Sequence, residues 1–507
     1  MSAAEAQALR TRAERSDWLE TSRYRDVMAF LDGIDESPLL HSGTFGYSLE
    51  GRPLPLVVAG PGLADGGPEA VLASDRTRVL LMANIHAGEV EGKEALQILL
   101  RRVADGEHRD WLDSLVVLIA PIYNVDGNER ISVMNRARQN GPLGGVGTRA
   151  NAQDLDLNRD HMKLASPEAR SLVELLNAYD PHVVVDLHAT NGTRHAYHLT
   201  YAPPLHPGTA PEIVGLLREE WLPEVTRSIG AEYGWGLYYY GNAYAPEGGE
   251  RGWYTFDHRP RFNTNYLGLR NRFAILSEAY AYASFRERVW VTLAFVEEIL
   301  DYAHRHATAI DRTAGRADRM DLRGRSLPVR ARGQRGPEIE ILMGAVEERL
   351  SPYSGRRFLA RLDEAVPERL RDFGTFTATE SAAVPDAYLV PPSLGGVLDL
   401  LRFHGVRTRT AAVETMAVER FVIDSVRVAE QKYQGERERE VFGAWVGDRV
   451  KLPEGTVVVP MDQPLARLAF LLLEPRSDDG VVAWNVLDEP PDAARTYPIL
   501  RRPAARR

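Results

Sequence analysis

Ala83-Asn84-Ile85-His86-Ala87-Gly88-Glu89 follows the apolar run Arg78-Val79-Leu80-Leu81-Met82 and precedes an amphipathic stretch from Val90 to Val103. The first run predicts a buried strand and the second a helix, so His86 and Glu89 fall where strand gives way to helix. An imidazole and a carboxylate three residues apart at such a turn can face one ion. Zinc accepts both ligand types and takes a further protein ligand plus water at catalytic sites. Alone, the pair usually means a solvated first turn, where a glutamate also suits the helix dipole. The rest of the chain has to supply the third ligand.

Outward from this stretch, strand-like runs alternate with amphipathic helices. Leu115–Ile122 predicts a strand running into Tyr123-Asn124-Val125-Asp126-Gly127, and Ser166–Leu176 a helix. His182–Leu187 and Arg272–Leu276 predict strands, Pro211–Ile229 and Phe285–His304 helices. Upstream, 4–16 and 22–32 read as helices, and Gly43–Val58 as a hairpin turning at Leu49-Glu50-Gly51-Arg52-Pro53. The alternation indicates an α/β fold with a mixed, largely parallel sheet flanked by helices. Near Asp311–Arg335 the apolar pattern breaks into an Arg- and Gly-rich stretch. Beyond it come a helix over Pro391–His404, closed by Gly405, and β-like runs at Arg420–Val428, Thr456–Pro460 and Arg467–Leu473. The division expected is an N-terminal helical segment (1–35), an α/β domain (36–310), a linker (311–330) and a smaller β-rich C-terminal domain (331–507).

With 507 residues the chain is too long for one ordinary core. A net charge of −10 argues against nucleic acid as a partner. There is no cysteine, which excludes disulfides and thiolate zinc sites and leaves histidine and carboxylate as metal ligands. The longest apolar run has strand length, so no membrane span is expected. Met1–Asp17 is polar, without the apolar core of a secretion signal, and a cytoplasmic location is the expectation.

In open α/β sheets, ligands bind beyond the carboxyl ends of strands. One such end is His86/Glu89. A second is Val183-Val184-Val185-Asp186-Leu187-His188, which offers the missing ligand, although a single strand-capping histidine is more often structural. A third is Ala274-Ile275-Leu276-Ser277-Glu278, whose carboxylate can act as a general base or be a solvated end residue. Between the first two ends lies Arg149-Ala150-Asn151-Ala152-Gln153-Asp154-Leu155-Asp156-Leu157-Asn158-Arg159-Asp160. Its arginines suit a carboxylate, and Asp156 suits a partner behind a zinc histidine. The bland alternative is a polar surface loop. His195-Ala196-Tyr197-His198 and His304-Arg305-His306 lack converging carboxylates and read as structural or exposed. No H-E-x-x-H occurs, which excludes the thermolysin type, and the absence of G-x-S-x-G weakens an α/β-hydrolase reading.

H-x-x-E, then D-L-N-R, then a strand-terminal His, then a strand-terminal Glu, in this order, resembles the M14 zinc carboxypeptidase family over roughly residues 40–300. Asn124-Val125-Asp126-Gly127 is similar to that family's N-P-D-G turn, with Val for Pro. The resemblance implies one zinc ion held by His86, Glu89 and His188. It implies Glu278 as general base for a zinc-activated water, and Asn158 and Arg159 as grips on the terminal carboxylate of a peptide substrate. Arg149 would stabilise the oxyanion, with Arg136 and Arg138 as rivals, and Asp156 would stand behind His86. The family covers its substrate with a mobile tyrosine; Tyr244, Tyr254 and Tyr266 compete for that place, and a core or surface tyrosine is the commoner reading of any one of them. The leading expectation is a metallocarboxypeptidase. One alternative is an N-acyl amino acid deacylase of the aspartoacylase and succinylglutamate desuccinylase type, which shares H-x-x-E and D-L-N-R. Another is a non-catalytic peptide-binding protein.

Overall fold

The computed structural model describes residues 9–487 and 495–504. Ten strands lie in the first part of the chain. They are β1 (Leu40–Tyr47), β2 (Pro53–Ala59), β3 (Thr77–Ala83), β4 (Leu115–Ala120), β5 (Val183–Ala189), β6 (Leu199–Ala202), β7 (Leu237–Tyr239), β8 (Asn242–Tyr244), β9 (Gly252–Tyr254) and β10 (Phe273–Ala279). Eight of them form one sheet in the order β1-β2-β4-β3-β5-β10-β6-β7. Its centre is parallel (β4/β3, β3/β5, β5/β10); β1/β2 and β2/β4 on one side and β10/β6 on the other are antiparallel, and the last pair, β6/β7, is parallel. Val, Leu and Ile dominate the central strands, and β3, β4 and β5 are buried along their whole length. That is the pattern of parallel strands covered on both faces.

The helices Glu91–Ala104 and Phe285–Arg305 pack on each other and on this sheet, while Pro167–Tyr179 packs on β1. Gly92 lets the first of these approach closely, because a Cβ there would stand 2.7 Å from the Leu187 Cβ on β5. The hairpin expected over 43–58 is β1–β2. For the helix expected over 4–16, residues up to 8 lie outside the described ones, and the helix observed spans Arg12–Arg15.

The C-terminal part is β-rich. It contributes β11 (Ser326–Gln334), β12 (Glu338–Leu350), β13 (Arg357–Phe373), β14 (Thr375–Ala383), β15 (Ala387–Val390), β16 (Arg409–Thr410), β17 (Thr415–Val428), β18 (Arg439–Lys451), β19 (Val457–Pro460) and β20 (Leu500–Arg502). Residues 311–330 hold the end of the helix Ala307–Asp318 and the start of β11. The long β12–β13 hairpin lies on the first sheet's surroundings: β13 runs parallel to β9, Gly344 N donates to Arg194 O (3.0 Å), and Arg361 N donates to Tyr282 O (2.8 Å). One expectation is corrected. Arg467–Leu473, read as β-like, belongs to a helix, Ala466–Leu473, every residue of which is buried. The apolar run Leu468–Leu473 carries no period. Its Leu, Ala and Phe include no β-branched residue, which leaves helix favoured.

Candidate metal centre and substrate cleft

Two strand ends bring the first cluster together. After β3, Asn84 takes a left-handed conformation (φ 66°) and its Nδ2 donates to Glu89 O (3.2 Å). Asparagine tolerates this region better than other non-glycine residues. Glu89 N donates to His86 O (2.9 Å), closing a tight turn that points both side chains the same way. His188, near the end of β5, meets them there.

His86 Nδ1 lies 3.0 Å from Glu89 Oε1, His188 Nδ1 lies 2.8 Å from Glu89 Oε2, and the two Nδ1 atoms are 3.2 Å apart. Two nitrogens bound to one tetrahedral zinc at about 2.0–2.1 Å stand about 3.3–3.4 Å apart, so the spacing fits a shared ion. Among the described residues, His86, Glu89 and His188 are the group whose ligand atoms converge in this way, all within 4.8 Å of one another. Carboxylates stand behind both rings. His86 Nε2 hydrogen-bonds Asp156 Oδ1 at 3.0 Å, which leaves Nδ1 as the lone-pair nitrogen. Asp186 Oδ2 lies 3.1 Å from His188 Nε2, an ion-pair contact without good hydrogen-bond geometry, and also accepts from Asn263 Nδ2 at 2.8 Å.

The electrostatics favour a cation at this point. Burial pushes the Glu89 carboxyl up, but Arg136, His86 and His188 outweigh it and hold the group well below the usual carboxylate range. Burial pulls His188 down, but Asp186 and Glu89 outweigh it and raise its pKa well above the ordinary histidine value. Two imidazoles and a carboxylate, buried together, suit zinc better than calcium or magnesium, which prefer all-oxygen coordination.

The cluster opens into a cleft of about 110 Å3. Glu278 stands in it, directly opposite His188 in the parallel β10/β5 register. The residue faces the cleft, yet its Oε2 is inaccessible to solvent and has no hydrogen-bond partner. Burial first, then the neighbouring Glu89 charge, push its carboxyl up to about 8, against the pull of His188, Arg136 and Arg149.

Arg149, Asn158 and Arg159 also line the cleft. Arg149 Nε donates to Asp156 Oδ2 (2.9 Å), and its Nη1 comes within 3.4 Å of His86 Nδ1. Asn158 Oδ1 accepts from Asn263 N (2.8 Å), and the Arg159 guanidinium lies 3.6 Å over the Phe262 ring. Arg136 reaches Glu89 Oε1 at 2.5 Å and lines the cleft too, whereas Arg138 lines an outer groove with Asn191, Arg194 and Tyr244.

Tyr244 is exposed in that outer groove, its ring tilted against that of Tyr254. Tyr266 is fully buried and bonded to His404, so it cannot cover a substrate. The tyrosine that does line the inner cleft, Tyr240, escaped the sequence reading. It sits in a Tyr238-Tyr239-Tyr240 run that carries no motif. With Phe256, Phe262 and Leu276 it gives the cleft an apolar wall.

A profile described as zinc carboxypeptidase matches residues 27–255. Carboxypeptidase 2 of Trichophyton equinum is 25% identical over 454 residues, covering 85% of this chain and 77% of its own length. Human carboxypeptidase D is 30% identical over 160 residues, covering 26% of this chain and 12% of its own. Among solved structures, a metallo-carboxypeptidase from Burkholderia cenocepacia matches with a TM-score of 0.43 at 16% identity, covering 57% of this chain and 70% of that one.

Proposed function

We propose that the chain is a zinc carboxypeptidase of the M14 family, the reading supported by the matching profile and relatives, and that it removes the C-terminal residue from peptides, with Glu278 as general base. The observation that carries the reading is the convergence of His86 Nδ1, Glu89 and His188 Nδ1 at one end of a cleft that also holds Glu278 and Arg159. In this reading His86, Glu89 and His188 hold one zinc ion, which supplies Lewis acidity toward the scissile carbonyl and acidifies a water. Glu278 takes a proton from the attacking water and hands it to the leaving amine nitrogen. A base works best with a pKa near the operating pH, and burial moves Glu278 in that direction.

Asn158 and Arg159 grip the substrate's terminal carboxylate. Stacking of the guanidinium on Phe262 holds its plane in place for paired hydrogen bonds. Arg149, anchored on Asp156, donates to the oxygen that gains charge as the carbonyl is attacked; a fixed donor there lowers the barrier without reorganising. Arg136 is the rival, although its bond to Glu89 engages one of its arms. The Tyr240, Phe256, Phe262 and Leu276 wall suits an apolar or aromatic terminal side chain. The comparisons favour neither the N-acyl amino acid deacylase nor the non-catalytic alternative.

The test compares three substrates with the zinc-loaded protein: an N-blocked dipeptide ending in Phe or Leu, its C-terminal amide, and an N-acyl amino acid with a small acyl group. Hydrolysis of the first alone is expected. Faster cleavage of the acyl amino acid, or equal cleavage of the amide, would reverse the assignment.

A further inference from the structure

The strands β17 and β18 form a hairpin whose tip is Tyr433-Gln434-Gly435-Glu436, closed by Tyr433 N to Glu436 O (2.7 Å) and Glu436 N to Tyr433 O (3.0 Å). The two central residues both have positive φ, Gln434 at 50° and Gly435 at 88°. Two-residue turns of this kind favour Asn-Gly or Gly-Gly, and glutamine pays in strain for the first position. The strain coincides with a contact. Gln434 Oε1 accepts a hydrogen bond from the backbone N–H of Asp156 at 2.8 Å, across 278 residues of sequence.

Asp156 is the hub of the cleft. Its Oδ1 bonds His86 Nε2 (3.0 Å) and Asn158 N (2.9 Å), and its Oδ2 bonds Arg149 Nε (2.9 Å) and lies 4.0 Å from Arg159 Nη1. One carboxylate thus orients a metal-ligating ring, the turn that carries Asn158 and Arg159, and an arginine of the cleft. The hairpin tip is itself braced from behind: Glu436 accepts from Asn485 Nδ2 (3.0 Å), and Glu438 pairs at 2.5 Å with the buried Arg261, which is also bound to Asp479 (2.8 Å). The tip is a fixed strut rather than a loose loop.

We propose that Gln434, supplied by the C-terminal β-rich part, is a positioning residue for the catalytic cleft: it fixes the Asp156 backbone, and through it the His86 ring and the carboxylate-gripping turn. The proposal rests on the carboxypeptidase reading for its effect on turnover, but its effect on metal binding stands apart from the substrate. Removing the partner of a metal-bound histidine commonly weakens metal binding about 10- to 100-fold. Gln434 acts one bond further away, so about three- to tenfold is expected.

The test uses the full chain with Gln434→Gly, Gln434→Asn and Gln434→Glu. Glycine and asparagine suit the left-handed turn but remove or shorten the reach to Asp156 N. Glutamate keeps an acceptor oxygen of the same reach. Zinc dissociation constants are measured by competition with a chromogenic chelator, alongside the unfolding midpoint and kcat and KM on a peptide. The expected result is about three- to tenfold weaker zinc binding in the Gly and Asn variants, an unfolding midpoint equal to or above the parent's, and near-parental zinc binding in the Glu variant. Zinc affinity unchanged in the Gly and Asn variants would overturn the proposal. So would a loss that tracks a lowered midpoint, or an equal loss in Gln434→Glu. If the parent cleaved no peptide, the carboxypeptidase reading would fail while the zinc measurement still decided the role of Gln434.

Discussion

Replacing Glu278 with glutamine should separate stability from catalysis in opposite directions. The side chain keeps its shape and loses its charge. In the metal-free protein the Glu278 carboxyl is raised from 4.5 to about 8, first by burial. Between these values the unfolded chain has released a proton that the folded one retains, so this group's contribution is fully present below 4.5 and is lost as pH rises toward 8. One pKa unit corresponds to about 1.4 kcal/mol, and the window from pH 5 to pH 7 spans roughly two units, or about 2.5 kcal/mol. Solvent in the cleft trims this to about 2 kcal/mol. Glutamine has no such term. The variant's stability relative to the parent should therefore grow by about 2 kcal/mol between pH 5 and pH 7. Taking the difference across pH cancels any fixed cost of burying the amide. The assay is urea unfolding of both chelator-treated proteins at each pH. A chain of this size has a steep urea dependence, so the gap between midpoints should widen by somewhat under about 1 M. In the zinc-loaded proteins, peptide hydrolysis should fall about 100- to 10,000-fold, the range of general-base contributions. A midpoint gap that is equal at both pH values would refute the titration argument, and undiminished hydrolysis would refute the base.

Further outcomes can be checked the same way. Asp186→Asn removes the charge behind His188 while keeping an oxygen for Asn263, and zinc affinity in chelator competition should fall about 10- to 100-fold. Arg159→Met should raise KM for a free-carboxylate peptide about 10- to 100-fold, the worth of a charge-assisted bond, with a far smaller change in kcat; equal effects on both would point away from carboxylate binding. His404 is depressed from 6.5 to about 3 by burial first and by Arg270, and as a neutral ring it bonds both Tyr266 and Met162 O. Here the unfolded state takes up the proton, so stability falls as pH drops from 6.5 toward 3, by roughly 2–3 kcal/mol between 6.5 and 4.5. His404→Asn should flatten that acid limb in urea titrations, and an unchanged slope would count against it.

The central sheet was readable because β3, β4 and β5 are apolar along their length and end in polar turns. That pattern places chemistry at strand ends before any contact is known. Candidate site residues within a few positions of a strand end, such as His86, Glu89, His188 and Glu278, carry a local signal. Tyr240 and Gln434 carry none. Each reaches the site through tertiary packing, the latter from a hairpin tip 278 residues beyond the residue it touches. The helix Ala466–Leu473 was misread because its apolar run, Leu468–Leu473, is silent about its own period. The boundary between the two parts is blurred in three dimensions because β13 pairs with β9.

Glu278 and His188 sit side by side on neighbouring parallel strands. Their separation is therefore governed by backbone spacing, about 4.8 Å between strands, and not by how nearby loops happen to settle. An engineer could exchange the surrounding loop segments while the proposed base and the proposed ligand kept their distance. A slip of one residue between those strands would turn one of the pair to the opposite face and, on the proposed mechanism, abolish turnover in a single step.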